Sequence, residues 1–280
     1  MTYIEKLKNS SERTGNFACF GLDPIFEVER ILPYFEKLFK LMKKQSLVPA
    51  AFKPNIGYYS VLDKPREGNF QGSIVLGKVL DLLESEFPEI PVILDSKRGD
   101  ISRSSLNYSK EAFDCWKTDA VTISPFMGID SISPFLIENK CAYVLNRTSN
   151  SGGKDFQNLI IEDKNTLYEH VSKKIIEWNK GSTNSSLGAV AGATNMNELA
   201  KISGQFATEN VPLLIPGVGS QGGSASDVRK ILQDQGYPLY LARVNSSSKL
   251  THPWKTPMIV ENALDLCIAN IKTLLKELEI

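Results

Sequence analysis

The feature that most constrains the fold is a series of eight short apolar runs, separated by segments with a helical period. The runs are Phe17–Asp23, Ala50–Asn55, Pro91–Lys97, Ala120–Ser124, Ala142–Arg147, Gly188–Ala193, Pro212–Gly217 and Leu239–Asn245. Near-continuous apolar runs of this length are typical of parallel strands that are covered on both faces. Between them, stripes such as Leu32, Phe35, Leu38, Phe39 and Met42 predict amphipathic helices.

Eight strand–helix units in a chain of 280 residues predict a (β/α)8 TIM barrel, with residues 1–280 forming a single domain. A doubly wound open sheet is the alternative, but open sheets of this size usually contain fewer strands. One connection is long, because residues 150–187 hold a helix candidate (167–180) and a tail rich in Gly, Ser and Asn. We interpret this segment as an insertion after strand 5, near the active face, rather than as a second domain. Asn195 and Glu198 predict a capping box at the head of a later helix.

Charge and hydropathy argue against several classes of function. The chain has 32 Lys plus Arg and 32 Asp plus Glu, and this balance argues against a nucleic-acid partner held by phosphate neutralisation. No apolar run approaches the roughly 18 residues of a membrane helix, and residues 1–8 lack the apolar segment of a secretory signal. The cysteines are scattered without a CxxC pair, which favours reduced thiols over a disulfide framework or a zinc site. The sequence therefore predicts a cytoplasmic protein without a membrane partner.

Charged residues gather at the predicted carboxyl ends of the strands, where barrels carry their functional groups. Asp23 closes the first run and Lys53 lies near the end of the second, while Asp95 and Lys97 end the third and Asp100 follows shortly after. Residues two apart on a strand project to the same face, so Asp95 and Lys97 project together. Inward-facing charges in a small barrel are costly unless they are paired. One such pair is typical of a structural salt bridge, but four alternating charges at strand ends indicate function.

The alternation of Lys53, Asp95, Lys97 and Asp100 also predicts a protonation state. At an effective dielectric constant of about 20, each contact at about 4 Å contributes on the order of 4 kcal/mol. The lysine between two carboxylates should therefore stay protonated, so it would act as a proton donor and not as a nucleophile. Because the chain has only 2 histidines, acid–base chemistry is expected to rest on Lys, Asp or Glu.

A glycine-rich turn, Pro216–Gly223, follows the seventh run. Consecutive glycines let backbone N–H groups approach an anion closely, and a following helix N-terminus adds partial positive charge. In barrels, the loops after strands seven and eight are the usual phosphate site. The eighth run leads into Asn245–Lys249, which adds hydroxyl groups and a cation. Arg147–Asn150, after the fifth run, is more typical of a strand-terminating turn, although its polar groups could face a heterocycle.

Six motifs occur in the order in which orotidine 5′-phosphate decarboxylases carry them, and the chain resembles that family over nearly its whole length. The motifs are Phe20–Pro24, Phe52–Asn55, Leu94–Ile101, Asp119–Pro125, Leu145–Asn150 and Pro216–Gly223. The similarity is greater to the longer bacterial (type 2) subfamily, which has DxKRGDI and RTSN signatures. DxKxxDI together with PGVGxQGG is quite specific, whereas DxKxxD alone also occurs in related sugar-phosphate decarboxylases and aldolases.

The resemblance implies a carboxy-lyase that converts orotidine 5′-monophosphate to uridine 5′-monophosphate (UMP) and CO2, the last step of de novo pyrimidine biosynthesis, without a metal or an organic cofactor. It implies that Lys97 stabilises and then protonates the carbanion at C6, with Asp95 near the departing carboxylate. Lys53 would orient Asp95 and a ribose hydroxyl. Asp100 would enter the neighbouring subunit's site, which implies a homodimer. A cation aimed at C6 is the main available stabiliser, because the ring cannot delocalise the charge that CO2 leaves behind.

The resemblance also implies a set of substrate-binding residues for the ribose, the base and the phosphate. These are Asp23, Ile101, Ser104, Ser149, Gln221, Gly222 and Gly223. Asp23 would bind the ribose, while Ile101 and Ser104 would lie against the substrate. Ser149 would read the pyrimidine edge and Gln221 would bridge the base and the phosphate. The N–H groups of the two glycines would hold the phosphate.

One departure from the family concerns the phosphate cation. The family usually has an Arg after strand eight, within NSSR in the long subfamily, but here Ser248 takes the Arg position. Lys249 is one substitute, with a point charge in place of a bidentate fork. Arg243, which lies further back in the strand, is the other candidate.

Two other functions stay open on the sequence. A Mg2+-dependent enzyme of the same superfamily, such as a 3-keto-gulonate 6-phosphate decarboxylase or a hexulose-phosphate aldolase, would share DxKxxD, although RTSN and Gln221 argue against it. A non-enzymatic nucleotide-binding barrel would retain the scaffold. The intact Lys–Asp array argues against that function, because buried charges without a use only cost stability.

Overall fold

The structure is a computed structural model that describes residues 1–162, 164–181, 185–219 and 222–280. Eight parallel strands form one sheet in the order β2-β1-β8-β7-β6-β5-β4-β3. The strands are β1 (Ala18–Leu22), β2 (Ala51–Pro54), β3 (Ile93–Arg98), β4 (Ala120–Ile123), β5 (Cys141–Arg147), β6 (Ser186–Ala191), β7 (Leu213–Ile215) and β8 (Ala242–Ser246). Parallel bridges from Phe52 to Val92 and from Asn55 to Asp95 join β2 to β3 and close the sheet. The predicted (β/α)8 barrel is confirmed.

Helices lie between the strands and cover the outside of the barrel. They are α1 (Tyr3–Thr14), α2 (Val28–Lys44), α3 (Gly57–Ser60), α4 (Gln71–Glu86), α5 (Ser102–Lys110), α6 (Ile129–Ile132), α7 (Leu167–Asn179), α8 (Met196–Phe206), α9 (Ala225–Asp234), α10 (Ser248–Thr251) and α11 (Ala263–Glu277). The apolar stripe predicted on α2 faces the core, since Phe35, Leu38, Phe39 and Met42 are buried. None of the described helices combines the length and apolarity needed to cross a lipid bilayer.

The predicted runs and the observed strands differ mainly at the eighth run. Leu239–Leu241 form a 3-10 turn, in which the N–H of Leu241 donates to the carbonyl of Pro238, and β8 begins only at Ala242. A hydrophobic run gives no indication of where such a turn ends and the strand begins, because both bury their side chains.

The amino end of the barrel is closed by α1, and Arg243 fastens it there. The Arg243 side chain is fully buried and donates to the carbonyl of Leu7 and the hydroxyls of Ser10 and Ser11, all in α1, and to the carbonyl of Ala50. Burial lowers the pKa of Arg243, and neighbouring tyrosines oppose that effect. The alternative that Arg243 grips a phosphate is therefore wrong, because its donors are used at the end of the barrel opposite to the strand carboxyl ends.

The long connection of residues 150–187 contains a 3-10 turn (Ser151–Asp155) and the helix α7. Helix α7 packs against β5 and β6, in the place of the helix that follows strand five in the barrel. The residues added to the basic barrel in the described part of this connection are therefore those between Asn150 and the start of α7. We retain the single-domain organisation of residues 1–280 as a proposal.

The predicted capping box at α8 is half correct. Asn195 is the N-cap residue, and its side chain accepts a hydrogen bond from the N–H of Glu198. The Glu198 carboxylate does not return to the cap, because it forms an ion pair with Arg147 at 2.7 Å and accepts a hydrogen bond from Asn158. The second residue of the predicted capping box therefore takes part in a buried ion pair between α8 and the end of β5.

Candidate active site

A cavity of about 430 Å³ opens at the carboxyl ends of the strands. Its wall contains charged and polar side chains from β2, β3, β4 and β8, together with residues of the loops after β1, β2, β5, β7 and β8. The predicted residues among them are Asp23, Lys53, Asp95, Lys97 and Ser149. The carboxyl ends of the parallel strands β1 to β8 meet at this end of the barrel. The cavity therefore occupies the position at which barrel enzymes bind their substrates.

Lys53, Asp95 and Lys97 form a continuous row on one wall. The amine of Lys53 lies 2.8 Å from Oδ2 of Asp95, and the amine of Lys97 lies 2.6 Å from Oδ1 of the same carboxylate. The side chain of Lys53 is 4% exposed and that of Asp95 is 9% exposed, whereas that of Lys97 is 48% exposed. Lys97 is therefore the most exposed member of the row.

The charges of this row keep one another ionised. Burial disfavours the charged form of Asp95, but Lys53 and Lys97 outweigh that effect and hold the pKa of Asp95 well below its ordinary value. Burial would likewise lower the pKa of Lys53, and Asp95 and Asp23 instead raise it above its ordinary value. An ionised carboxylate is thus fixed beside two amines, of which that of Lys53 is buried and that of Lys97 is half-exposed.

The chain bulges where β3 delivers these groups. The four residue steps from Leu94 to Arg98 on β3 run beside only two steps on β4, from Val121 to Ile123. Lys97 lies inside the bulge with φ of 49°, in the left-handed region that side chains other than glycine rarely adopt. In a regular strand, the spacing between residues 95 and 97 would be that of any two residues on the same face. The bulge changes this spacing and directs the side chain of Lys97 toward the Asp95 carboxylate.

Thr122 of β4 lies underneath the bulge and is 1% exposed. Its hydroxyl donates to Oδ1 of Asp95 at 2.8 Å and accepts from the N–H groups of Ser96 and Lys97, both at 3.0 Å. Asp95 therefore receives a third donor in addition to the two amines.

Asp100, Ile101 and Ser104 lie outside this chain's cavity. Oδ1 of Asp100 accepts a hydrogen bond from the N–H of Ile101 at 2.7 Å, and no ion pair joins Asp100 to Lys97 in the described part of the chain. Ile101 is 50% exposed, and Ser104 is exposed one turn further along, in α5. The expected row of four charges is thus a row of three within one chain, since Asp100 is half-buried and does not line the cavity.

Asp23 and His252 lie at another part of the cavity wall. Asp23 is 6% exposed, and its Oδ1 accepts a hydrogen bond from the N–H of Asn55 at 3.2 Å. His252 is half-buried beside it, and burial lowers the pKa of the imidazole although the Asp23 carboxylate opposes this. A neutral imidazole and a carboxylate can both accept hydrogen bonds, which suits a ligand that carries hydroxyl groups.

Ser149 lies in the turn after β5, which is braced from below. Gln157 accepts from the N–H of Thr148 at 2.9 Å, and the hydroxyl of Thr194 donates to the carbonyl of Ser149 at 2.9 Å. Arg147 donates to the carbonyl of Thr148 at 2.6 Å while it pairs with Glu198. These hydrogen bonds hold the RTSN turn in place at the cavity wall. Some of them come from the residues added after Asn150.

The glycine-rich turn after β7 forms the far side of the cavity through Pro216, Gly217 and Val218. The N–H of Gly222 donates to Gly219 at 3.2 Å and that of Gly223 donates to Gly217 at 3.0 Å, so these two groups are engaged within the loop in this structure. An anion could bind to either N–H group only after the hydrogen bond of that group within the loop is broken. Gln221 lies outside the described residues.

Lys249, in the short helix α10, runs along this turn. A Cβ atom added at Gly219 would lie 2.9 Å from Cδ of Lys249, so only a glycine leaves room for the lysine. Ser247 and Ser248 line the cavity beside it. Of the two cations considered for a phosphate, Lys249 is thus the one at the correct end of the barrel.

Three polar cavity residues that were not proposed from the sequence are Tyr58, Thr122 and His252. Thr122 could have been found, because it is a polar residue between Val121 and Ile123 in an otherwise apolar run. His252 follows the eighth run by several residues, and no spacing rule relates such a loop position to the cavity.

The comparisons with known proteins agree on one family. A sequence model of the orotidine 5′-phosphate decarboxylase / HUMPS family matches residues 19–236. A protein of Delftia acidovorans named orotidine 5′-phosphate decarboxylase is 36% identical over 260 residues, which cover 88% of this chain and 88% of that protein. A protein of the same name from Cupriavidus metallidurans is 38% identical over 234 residues, which cover 80% of each chain.

Solved structures give the same result. A structure of Leishmania donovani OMP decarboxylase superimposes with a TM-score of 0.77 at 28% identity, over 99% of this chain and 97% of that one. A structure from Toxoplasma gondii, described as a putative orotidine-monophosphate-decarboxylase, has a TM-score of 0.80 at 22% identity over 99% and 96% of the two chains. At that lower identity, the second structure supports the fold alone.

Proposed function

Because this chain belongs to the orotidine 5′-phosphate decarboxylase family and is a carboxy-lyase of pyrimidine biosynthesis, we propose that it decarboxylates orotidine 5′-monophosphate with Lys97 as the proton donor and without a cofactor. The observation that carries this proposal is the row of Lys53, Asp95 and Lys97 on the cavity wall, in which the side chain of Lys97 is the most exposed.

In the proposed reaction, the bond between C6 of the pyrimidine and its carboxylate breaks, and CO2 leaves. The electron pair stays on C6, where the positive amine of Lys97 stabilises it. A proton then moves from Nζ of Lys97 to C6, which gives UMP and a neutral amine that regains a proton from water. Asp95 holds the amine in place through its contact at 2.6 Å.

The two buried members of the row have supporting roles. Lys53 keeps Asp95 ionised and oriented through its contact at 2.8 Å. Asp23 and His252 would accept hydrogen bonds from the ribose hydroxyls. Ser149, on the braced RTSN turn, would bind the edge of the pyrimidine.

The phosphate would bind between the turn after β7 and helix α10. Lys249 supplies the cation, and backbone N–H groups of Gly222 and Gly223 would turn to the phosphate when their bonds within the loop are exchanged. Gln221 is proposed to bridge the base and the phosphate. Binding energy from this remote group would order the loops and exclude water from the reacting carbon.

We further propose a cytoplasmic homodimer in which Asp100, with Ile101 and Ser104 beside it, completes the site of the partner subunit. The support is that none of the three lines its own chain's cavity, and that Ile101 and Ser104 are exposed while Asp100 is half-buried. Phe126 (88% exposed) and Met127 (41% exposed), which follow β4, add apolar area on exposed loops after neighbouring strands. An exposed apolar patch of this kind is typical of an interaction surface.

The test is the loss of orotidine absorbance with purified protein in EDTA, compared with the Lys97→Ala variant. The wild-type protein is expected to turn over the substrate in EDTA, and K97A is expected to lose turnover by more than about 1,000-fold while its Kd for UMP stays within about tenfold. Undiminished turnover by K97A would contradict the proton-donor role. Dependence of the wild-type activity on added Mg2+ would contradict the absence of a cofactor and favour the sugar-phosphate alternative.

A further inference from the structure

The hydroxyl of Thr122 uses its whole hydrogen-bonding capacity on the strand that carries the lysine. A threonine hydroxyl has one proton to donate and two lone pairs to accept with. Its proton goes to Asp95, and its lone pairs take the N–H groups of Ser96 and Lys97. Thr122 lines the cavity but is only 1% exposed, so its hydroxyl depends on these three bonds and not on contact with bulk water.

These bonds compensate for the ladder hydrogen bonds that the bulge removes. Where β3 has two residues more than β4, successive N–H groups of β3 have no carbonyl opposite them. Two successive N–H groups that converge on one acceptor form the concave backbone arrangement that usually binds an anion. Here a neutral hydroxyl of the neighbouring strand occupies that position and passes its own proton to the Asp95 carboxylate.

The same hydroxyl therefore acts on Lys97 twice. It holds the backbone of Lys97 in the left-handed conformation, with φ of 49°, and it fixes the carboxylate oxygen that the lysine amine contacts at 2.6 Å. The side chain of Lys97 is 48% exposed and has few other restraints on its amine.

We propose that Thr122 is the positioning residue of the proton-donor lysine, which sets the direction of its amine from beneath the β3 bulge without touching the substrate. This inference rests on the proposed function. In terms of the reaction, Thr122 should affect the chemical step far more than the binding of UMP, because the phosphate and ribose contacts lie on other strands.

The test compares variants of Thr122 that keep or remove the hydroxyl. Thr122→Val, which has the same shape without the hydroxyl, should lower kcat by about 10- to 100-fold and leave the Kd for UMP within about threefold. Thr122→Ser should retain kcat within about fivefold, since it keeps the hydroxyl. Thr122→Cys, which is close to serine in size but has a weak donor and acceptor, serves as the second variant if T122V does not fold.

Thr118→Val is the matched control. Thr118 is a threonine 1% exposed near the opposite end of β4, and its hydroxyl donates to the carbonyl of Ala112. T118V should lose stability but keep kcat. The proposal is overturned if T122V and T122C both keep the wild-type kcat, or if T122S is as slow as they are. A wild-type protein without turnover in the same assay would instead contradict the proposed function.

A crystal structure of T122V, or of T122C, tests the positioning role without any turnover. We expect Lys97 to leave the left-handed region and its amine to move away from Oδ1 of Asp95. An unchanged Lys97 backbone and an unchanged contact with Asp95 would overturn the proposal.

Discussion

Asp95 accepts hydrogen bonds from two lysines and one threonine while its side chain is 9% exposed. At the scale of single residues, Asp95 is thus a group on which both the proposed function and the stability depend. Removal of one partner of a buried ion pair leaves an uncompensated charge, which costs roughly 3–5 kcal/mol. The Asp95 carboxylate is therefore needed both for the proposed chemistry and for the stability of the fold.

Asp95→Asn should lower the free energy of unfolding at pH 7 by roughly 3–5 kcal/mol. The pKa of Asp95 lies well below its ordinary value in the folded state, so its contribution is fully present above about pH 4 and is lost as the pH falls further. The difference between wild type and D95N should therefore shrink below about pH 4, as measured by urea unfolding at pH 7, 4 and 3. A difference of constant size at all three pH values would contradict the assigned ionisation.

At the scale of elements, the turn after β7 and helix α10 meet through Gly219 and Lys249. In the proposed phosphate site, Ser248 takes the position of the usual arginine, so Lys249 would carry the positive charge. An ammonium group contacts a phosphate as a point charge and without a fixed fork. We therefore expect a phosphate site whose affinity rests on one flexible cation and on backbone donors.

Lys249→Ala should weaken UMP binding by about tenfold, equal to about 1.4 kcal/mol, and leave uridine binding unchanged. Calorimetric titration of both ligands checks this, with Lys255→Ala as a control, because Lys255 is exposed further along the same loop. If K249A costs less than about 1 kcal/mol, backbone groups hold the phosphate.

The elements also show which parts of the structure a sequence can predict. The positions of the strands follow from apolar runs, because burial on both faces leaves a one-dimensional pattern. Asp95 and Lys97 were predicted to project together, and they do, although the physical reason is a bulge at Lys97 and not regular alternation. Glu198 was predicted to complete a cap, but its actual partner Arg147 lies 51 positions earlier in the chain, and local spacing holds no information about such a contact.

The same argument applies to Arg243, which the sequence places near the phosphate because it lies in the eighth run. Along a strand of five residues, a single position decides which end of the barrel a long side chain reaches. Only the positions of Leu7 and Ala50 in space show that this guanidinium binds the opposite end. Site residues carried by strand ends could therefore be predicted, whereas those whose partners come from distant segments could not.

At the scale of the whole molecule, the placement of Asp100 outside its own cavity bears on assembly. A closed dimer with twofold symmetry would bring the same surface of each subunit to the other's cavity. Each site would then combine Lys97 of one chain with Asp100 of its partner, so neither subunit would have a complete site alone.

Mixing two inactive variants tests this arrangement. K97A and Asp100→Ala should each be strongly impaired, but mixed dimers would contain one site with both native residues. Random reassortment of equal amounts should therefore restore about a quarter of the wild-type site activity. No recovery after subunit exchange, confirmed by light scattering to have produced dimers, would show that Asp100 does not serve the partner's site.

The left-handed backbone at Lys97 has a consequence for attempts to make this protein more robust. A non-glycine residue in that region costs roughly 1–2 kcal/mol, which glycine would avoid. Replacement of Lys97 by glycine would relieve this strain but would also remove one of the two amines that contact Asp95, so the two effects on stability oppose each other. Directed evolution of this barrel for heat resistance therefore needs a parallel growth selection for uracil prototrophy, because a glycine at position 97 that passes a thermal screen would lack the amine.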